Sequence, residues 1–140
     1  MIQGQSVVHY VTYPQSPQRV WRALVDSEEL ALWLMPNDFV PQVGRRFTMD
    51  CGEPIGPIQG EVLEVEPERR LSCRWAGRLG DTVVTFELTP TATGTQLRLE
   101  HSGWSDQDKP HRDLFAGGWT SKLSDRLRRV LEEAADTRLR

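Results

Sequence analysis

The sequence predicts an α+β domain: a strongly bent antiparallel sheet of about six strands, with one long C-terminal helix lying across its concave face. Three observations lead there. Apolar residues recur with period 2 from Arg45 to His101, they recur with helical spacing from His111 to Ala135, and two short helical patterns stand between the first strand and the rest. Alternation with one polar face describes antiparallel strands that are wet on one side, and the single long helix must then cover the other side.

The elements follow in order. Ser6 to Tyr13 is rich in valine, tyrosine and threonine, as a strand requires, and Pro14 ends it. Ser16-Pro17 supplies an N-cap followed by proline at the first helical position. The helix runs to about Val25 with Val20, Trp21, Leu24 and Val25 on its apolar stripe. Asp26 caps a second short helix, and Glu29 three residues on completes a capping box; Leu30, Trp33 and Leu34 are its apolar residues, and it stops before Pro36.

Arg45 to Cys51 then places Phe47, Met49 and Cys51 on one face of a strand, and a Gly/Pro-rich loop follows at 52–57. In Ile58 to Glu66, Val62 and Glu64 share one face while Leu63 and Val65 share the other, a conflict that a β-bulge resolves. A turn at Pro67-Glu68-Arg69 leads to Leu71, Cys73 and Trp75 facing inward. Gly77 to Asp81 turns the chain again before Val84, Phe86 and Leu88, and Thr93-Gly94 makes the last turn before Leu97, Leu99 and His101.

The long helix carries Phe115-Ala116-Gly117-Gly118-Trp119. Two glycines inside a helix cost roughly 1 kcal/mol each relative to alanine. The expectation is that the sheet passes close beneath them while the flanking aromatics reach into a space under the helix.

The totals bound the function. A chain of 140 residues fits a single domain spanning 1–140, able to bury roughly 70% of its unfolded surface. Hydrophobic residues at 38% and charged residues at 26% are ordinary for a globular protein. A net charge of −3 lacks the basic face of a nucleic-acid binder. No run approaches the roughly 18 apolar residues that span a bilayer. The first residues show neither a basic start nor an apolar stretch for export, so a cytoplasmic protein is expected. The two cysteines, Cys51 and Cys73, then act as small buried hydrophobes. The five tryptophans either fill the core or line an amphipathic pocket, and each needs a partner for its N–H.

Several segments together resemble a known superfamily. They are Val20-Trp21-Arg22-Ala23-Leu24, Glu29-Leu30-Ala31-Leu32-Trp33, Gly44 with Phe47, Gly60-Glu61-Val62-Leu63-Glu64-Val65 with Leu71 and Trp75, and the late Gly118-Trp119. In order and spacing these are similar to the START-like helix-grip superfamily, in its bacterial branch related to the C-terminal domain of activators of the ninety-kilodalton heat-shock chaperone ATPase. The resemblance runs from about Ser6 to Ala134. It implies a bent sheet gripping a C-terminal helix around a hydrophobic cavity that holds lipid-like or polyketide-like molecules. Function is carried poorly by such a fold, because its members include binders, cyclases and chaperone partners.

Candidates for chemistry are few. His101 has inward parity and is suited to orienting a ligand or titrating near neutral pH, unless both ring nitrogens are satisfied in the core. His9 and His111 offer no metal-ligand spacing. Glu64 is a candidate acid or base if buried, and otherwise an ion-pair partner at the sheet edge. Asp106 and Asp108 are explained by helix capping rather than a cation loop. Asp125–Arg129, Arg128–Glu132 and Arg129–Glu133 form a solvated helix face rather than a nucleic-acid patch. No phosphate loop, nucleophile elbow or dinucleotide motif occurs.

The expected ligand-binding residues are therefore Trp33, Phe47, Met49, Trp75, Phe86, Leu88, Leu99, His101, Phe115, Trp119 and Leu123, with Met35 at the rim. No catalytic residue, metal or cofactor is assigned. The leading expectation is non-catalytic binding of a small hydrophobic molecule by a monomer or homodimer. The alternatives are a protein-interaction module of the chaperone-activator kind, and a cavity enzyme of cyclase or hydrolase type using His101 or Glu64.

Overall fold

The computed structural model describes residues 6–52, 55–78, 80–104 and 109–138. Its strands are β1 (Val7–Tyr13), β2 (Arg46–Asp50), β3 (Pro57–Glu66), β4 (Arg70–Gly77), β5 (Gly80–Thr91) and β6 (Gly94–Ser102). Two short helices, α1 (Pro17–Val25) and α2 (Ser27–Trp33), separate β1 from β2. The C-terminal helix opens as α3 (Lys109–Ser121), passes through a π-helical stretch (Lys122–Leu127) and ends as α4 (Arg128–Arg138).

All six strands form one antiparallel sheet in the order β1-β6-β5-β4-β3-β2. From β2 to β6 each strand pairs with its successor in the chain, and β1 closes the far edge against β6. The sheet is curved and open, and the helices cover its inner face: the α+β helix-grip expectation holds. The conflict within β3 is resolved as anticipated, since Val62 pairs with Cys73 while Glu64 pairs with Ser72, leaving Leu63 as the extra residue of a bulge.

Helix starts follow the local chemistry with one departure. The Ser16 hydroxyl accepts from the Arg19 N–H at 3.2 Å, and the Asp26 carboxylate accepts from the N–H groups of Glu28 and Glu29 at 2.9 and 3.3 Å. Glu29 does not complete a capping box. Its carboxylate instead meets Arg19 at 2.9 Å and Arg22 at 3.2 Å, and the Asp26 N–H donates to the Arg22 carbonyl. Arg19 is only 7% exposed and also donates to the Val130 carbonyl. A buried guanidinium needs a counter-charge, so Glu29 ties α1 to α2 and, through Arg19, to α4.

Gly60 is dictated by a close approach. A Cβ at Gly60 would fall 2.2 Å from the Phe47 ring tip. Phe47 lies flat over its cross-strand partner, only 2% exposed, with the Phe39 ring 5.1 Å away.

The π-helical stretch has a cause in spacing. Trp119, Leu123, Leu127 and Leu131 are all buried to 1% exposure or less, and each follows the last by four residues. At about 100° per residue, four steps overshoot a turn by about 40°, so a purely α-helical rod would rotate this row away from the sheet. The wider turns of Lys122–Leu127 absorb that drift. The shifted ladder leaves carbonyls to be satisfied elsewhere: the Tyr13 hydroxyl donates to the Leu123 carbonyl at 2.7 Å. Burial pushes the Tyr13 phenol well above its ordinary pKa, so it stays a donor. Arg128 does not pair with Glu132. It donates to the Thr12 carbonyl and lies over the Tyr13 ring at 5.1 Å, whereas the Asp125–Arg129 pair forms at 2.9 Å.

Candidate functional site

His101 is fully buried, and its hydrogen bonds fix its chemistry. The Trp119 indole N–H donates to Nδ1 at 3.1 Å, so Nδ1 carries a lone pair and the ring proton sits on Nε2. That proton is donated to Thr82 Oγ1 at 2.8 Å, and the Thr82 hydroxyl donates in turn to the Trp75 carbonyl at 2.9 Å. The His101 carbonyl accepts from the Trp104 indole at 3.0 Å. Every polar group in this chain of bonds is satisfied with the imidazole neutral. Burial holds the pKa down from 6.5 to about 3. His101 is thus a clamp joining β6, β5 and the helix, with no free nitrogen to offer a guest.

The space under the helix is largely filled. Trp75 stands 5.6 Å from Trp119, 5.5 Å from His101 and 6.2 Å from Phe115, while Phe86 stands 6.0 Å from Trp119 and 6.2 Å from Trp33. Trp33, Phe47, Met49, Trp75, Phe86, Leu88, Leu99 and Leu123 belong to this packed interior, and His101 is buried within it. The Trp33 N–H is spent on the Ala23 carbonyl at 2.8 Å.

A cleft of about 240 Å³ remains beside this cluster, and two of the sequence-expected residues, Phe115 and Trp119, form part of its wall. Opposite them stand Leu34 and Met35 from the exit of α2, then Cys51 and Ile55 from the segment after β2. Leu114, Gly118 and Lys122 complete the helix side. Met35 takes the rim position that its sequence context suggests. The Cys51 thiol lies 3.0 Å from the Met35 sulfur, and burial pushes its pKa up to about 11, so it is a neutral wall and no nucleophile. Among the described residues, Lys122 brings the only formal charge to this lining. Burial draws its pKa down from the ordinary value, with the Arg126 guanidinium adding to the effect and Cys51 opposing it.

Residues 14–132 match the sequence profile of the family described as activator of Hsp90 ATPase homolog 1-like protein. The chain belongs to that family. A crystal structure of a Mesorhizobium loti protein is 36% identical, over 91% of this chain and 97% of its own, with a TM-score of 0.83. A solution structure of a Bacillus halodurans protein is 29% identical, over 90% of this chain and 96% of its own, with a TM-score of 0.78. A protein from the dynemicin biosynthetic locus is 28% identical over 91% of this chain, which spans 47% of that longer one, with a TM-score of 0.78. No curated protein matches the chain. Membership supports a ligand-binding or interaction module in general terms, and no helix among the described residues is long and apolar enough to cross a membrane.

Of two further sequence expectations, Glu64 follows its ion-pair alternative and the double glycine departs from what was expected. Glu64 is about half exposed on the outer face of the sheet and pairs with Arg70 at 3.2 Å, which also meets Glu87. It therefore lies on the opposite face from His101 and cannot act with it on one guest. The double glycine is not explained by a close approach: a Cβ at Gly117 would meet nothing within 4 Å, and one at Gly118 would meet only Lys122 Nζ at 4.0 Å. The sheet never reaches them. Gly117→Ala is accordingly expected to stabilise the protein by about 1 kcal/mol through helix propensity alone. Urea unfolding checks this, and a loss of stability would mean that Gly117 serves a conformation other than the helix. Asp106, Asp108 and the His111 side chain lie outside the described residues.

Proposed function

We propose that the protein is a non-catalytic binder of a small, largely apolar molecule seated in the cleft between the C-terminal helix and the Met35–Cys51–Ile55 margin. The observation that carries the reading is the cleft itself, a concave apolar opening in a domain whose remaining interior is closely packed. Ligand sites take this form, with few polar groups and mostly preformed walls. An apolar cavity of about 150 Å³ takes up benzene, so 240 Å³ holds a single ring with a short substituent, and the end of anything larger stays in solvent. A sterol-sized molecule does not fit without opening the helix.

Thermal shift and native mass spectrometry against short-chain and single-ring compounds test the reading, with Gly118→Leu as a plugged control. Stabilisation of the wild type that the plugged variant loses is the expected result. If no compound raises the melting temperature of the wild type, the reading fails. The family's description favours a second reading, a protein-interaction module of the chaperone-activator kind. A pull-down with the cognate chaperone and an ATPase assay decide it, no binding at micromolar concentration being the negative result.

A further inference from the structure

We propose that the guest of the cleft is a small monocarboxylate, its ring or short alkyl body against Phe115 and Trp119 and its charge received by Lys122. This rests on the ligand-binding reading above and adds the chemical class.

The charge distribution points to it. Leu114, Gly118 and Lys122 share one row of the helix at four-residue spacing, next to the row of Phe115, Trp119 and Leu123. The second row is spent on the floor of the cleft and the core beneath, while the first runs along the opening. In that first row the side chain preceding Lys122 is missing altogether. The ammonium lies back over bare helix at Gly118, where even an added Cβ would stand 4.0 Å from Nζ. Lys122 is half-buried, and among the described residues the walls around it are uncharged and it has neither an ion pair nor a hydrogen-bond partner. Its neighbour across the cleft, Cys51, is held as a neutral thiol.

One turn further on, Arg126 is a second, exposed cation that also lacks an ion-pair partner among the described residues. Like charges at this spacing destabilise a helix, and a half-desolvated ammonium without a counter-ion costs more still. A carboxylate in the cleft removes both penalties, and a charge-assisted hydrogen bond in a site shielded from water is among the stronger polar contacts. Among the described residues the site offers one ammonium and mostly apolar walls, with no further cation in its lining. That suits a monoanion with an apolar body better than a phosphomonoester dianion, which calls for several donors.

Calorimetric titration with matched pairs, trans-cinnamate against cinnamamide and octanoate against octanamide, tests the proposal on the wild type, Lys122→Met and Lys122→Arg. The wild type is expected to bind each acid about 10-fold or more tightly than its amide. Lys122→Met erases that preference while leaving the amide affinity in place, and Lys122→Arg retains it. A wild type that binds acid and amide equally, or a Lys122→Met variant that keeps the preference, overturns the carboxylate assignment and leaves the apolar cleft standing. Failure of all four probes on the wild type overturns both. The melting temperatures of the variants, measured without ligand, separate a binding defect from a folding one.

Discussion

As the pH falls from 6.5 toward 3 the protein is expected to lose on the order of 5 kcal/mol of stability through His101 alone. The folded-state pKa lies below the unfolded one, so between the two values the unfolded chain binds the extra proton. Stability is therefore complete above about pH 6.5, falls with a slope approaching 1.4 kcal/mol per pH unit, and levels off near pH 3. The structural reason is that protonation would place a hydrogen on Nδ1, against the indole N–H of Trp119 that already points there. For a domain whose total stability is about 5–15 kcal/mol, that loss removes about a third or more of the total by pH 3. Urea unfolding at several pH values measures the slope for the wild type and His101→Gln. The variant starts less stable at pH 7, because Nδ1 and its ring contacts are gone, yet it should show the shallower slope. Equal slopes between pH 4 and pH 6 would mean that His101 does not carry the acid response.

The same residue shows how far the sequence could be read. Alternation located every strand of the sheet, and even the bulge in β3, because a buried face admits only one register for a run such as Phe86 and Leu88 against Leu97 and Leu99. Inward parity could say that His101, Trp75 and Phe86 face the helix. It could not say whether they meet a guest or each other, because a packed core and a lined cavity draw on the same residue types. Tertiary packing made that choice, with Trp119 reaching down to His101 and closing the space. The cleft that remains is built largely from segments outside the alternating strands: the exit of α2, the Ile55 loop, and a helix row made conspicuous only by the lysine that follows Leu114 and Gly118 at equal spacing. That lysine, following an apolar residue and a glycine in its row, was the signal the sequence offered. The four-residue repeat of Trp119, Leu123, Leu127 and Leu131 was likewise visible, but the π-helical turn that satisfies it depends on a distant phenol, Tyr13.

Trp119→Ala is expected to cost about 4 kcal/mol or more, the largest effect of a single truncation near the cleft. The indole is 1% exposed, stands against Trp75 and Phe86, and supplies the hydrogen bond to His101 Nδ1. Removing it takes away the apolar burial, leaves a void that these rings cannot close, and strands a buried acceptor. Because Trp119 is also a wall of the cleft, the void joins that opening and the protein gains a deeper pocket with an imidazole nitrogen at its end. Free indole should then bind the variant in the new void, raising its melting temperature by several degrees more than that of the wild type at saturating concentration. Rescue of this kind shows that the void stays open, since engineered apolar cavities take up matching rings. Loss of under about 1 kcal/mol, or a variant indifferent to indole, would show that the interior collapses around the missing ring and that Trp119 does not divide cleft from core.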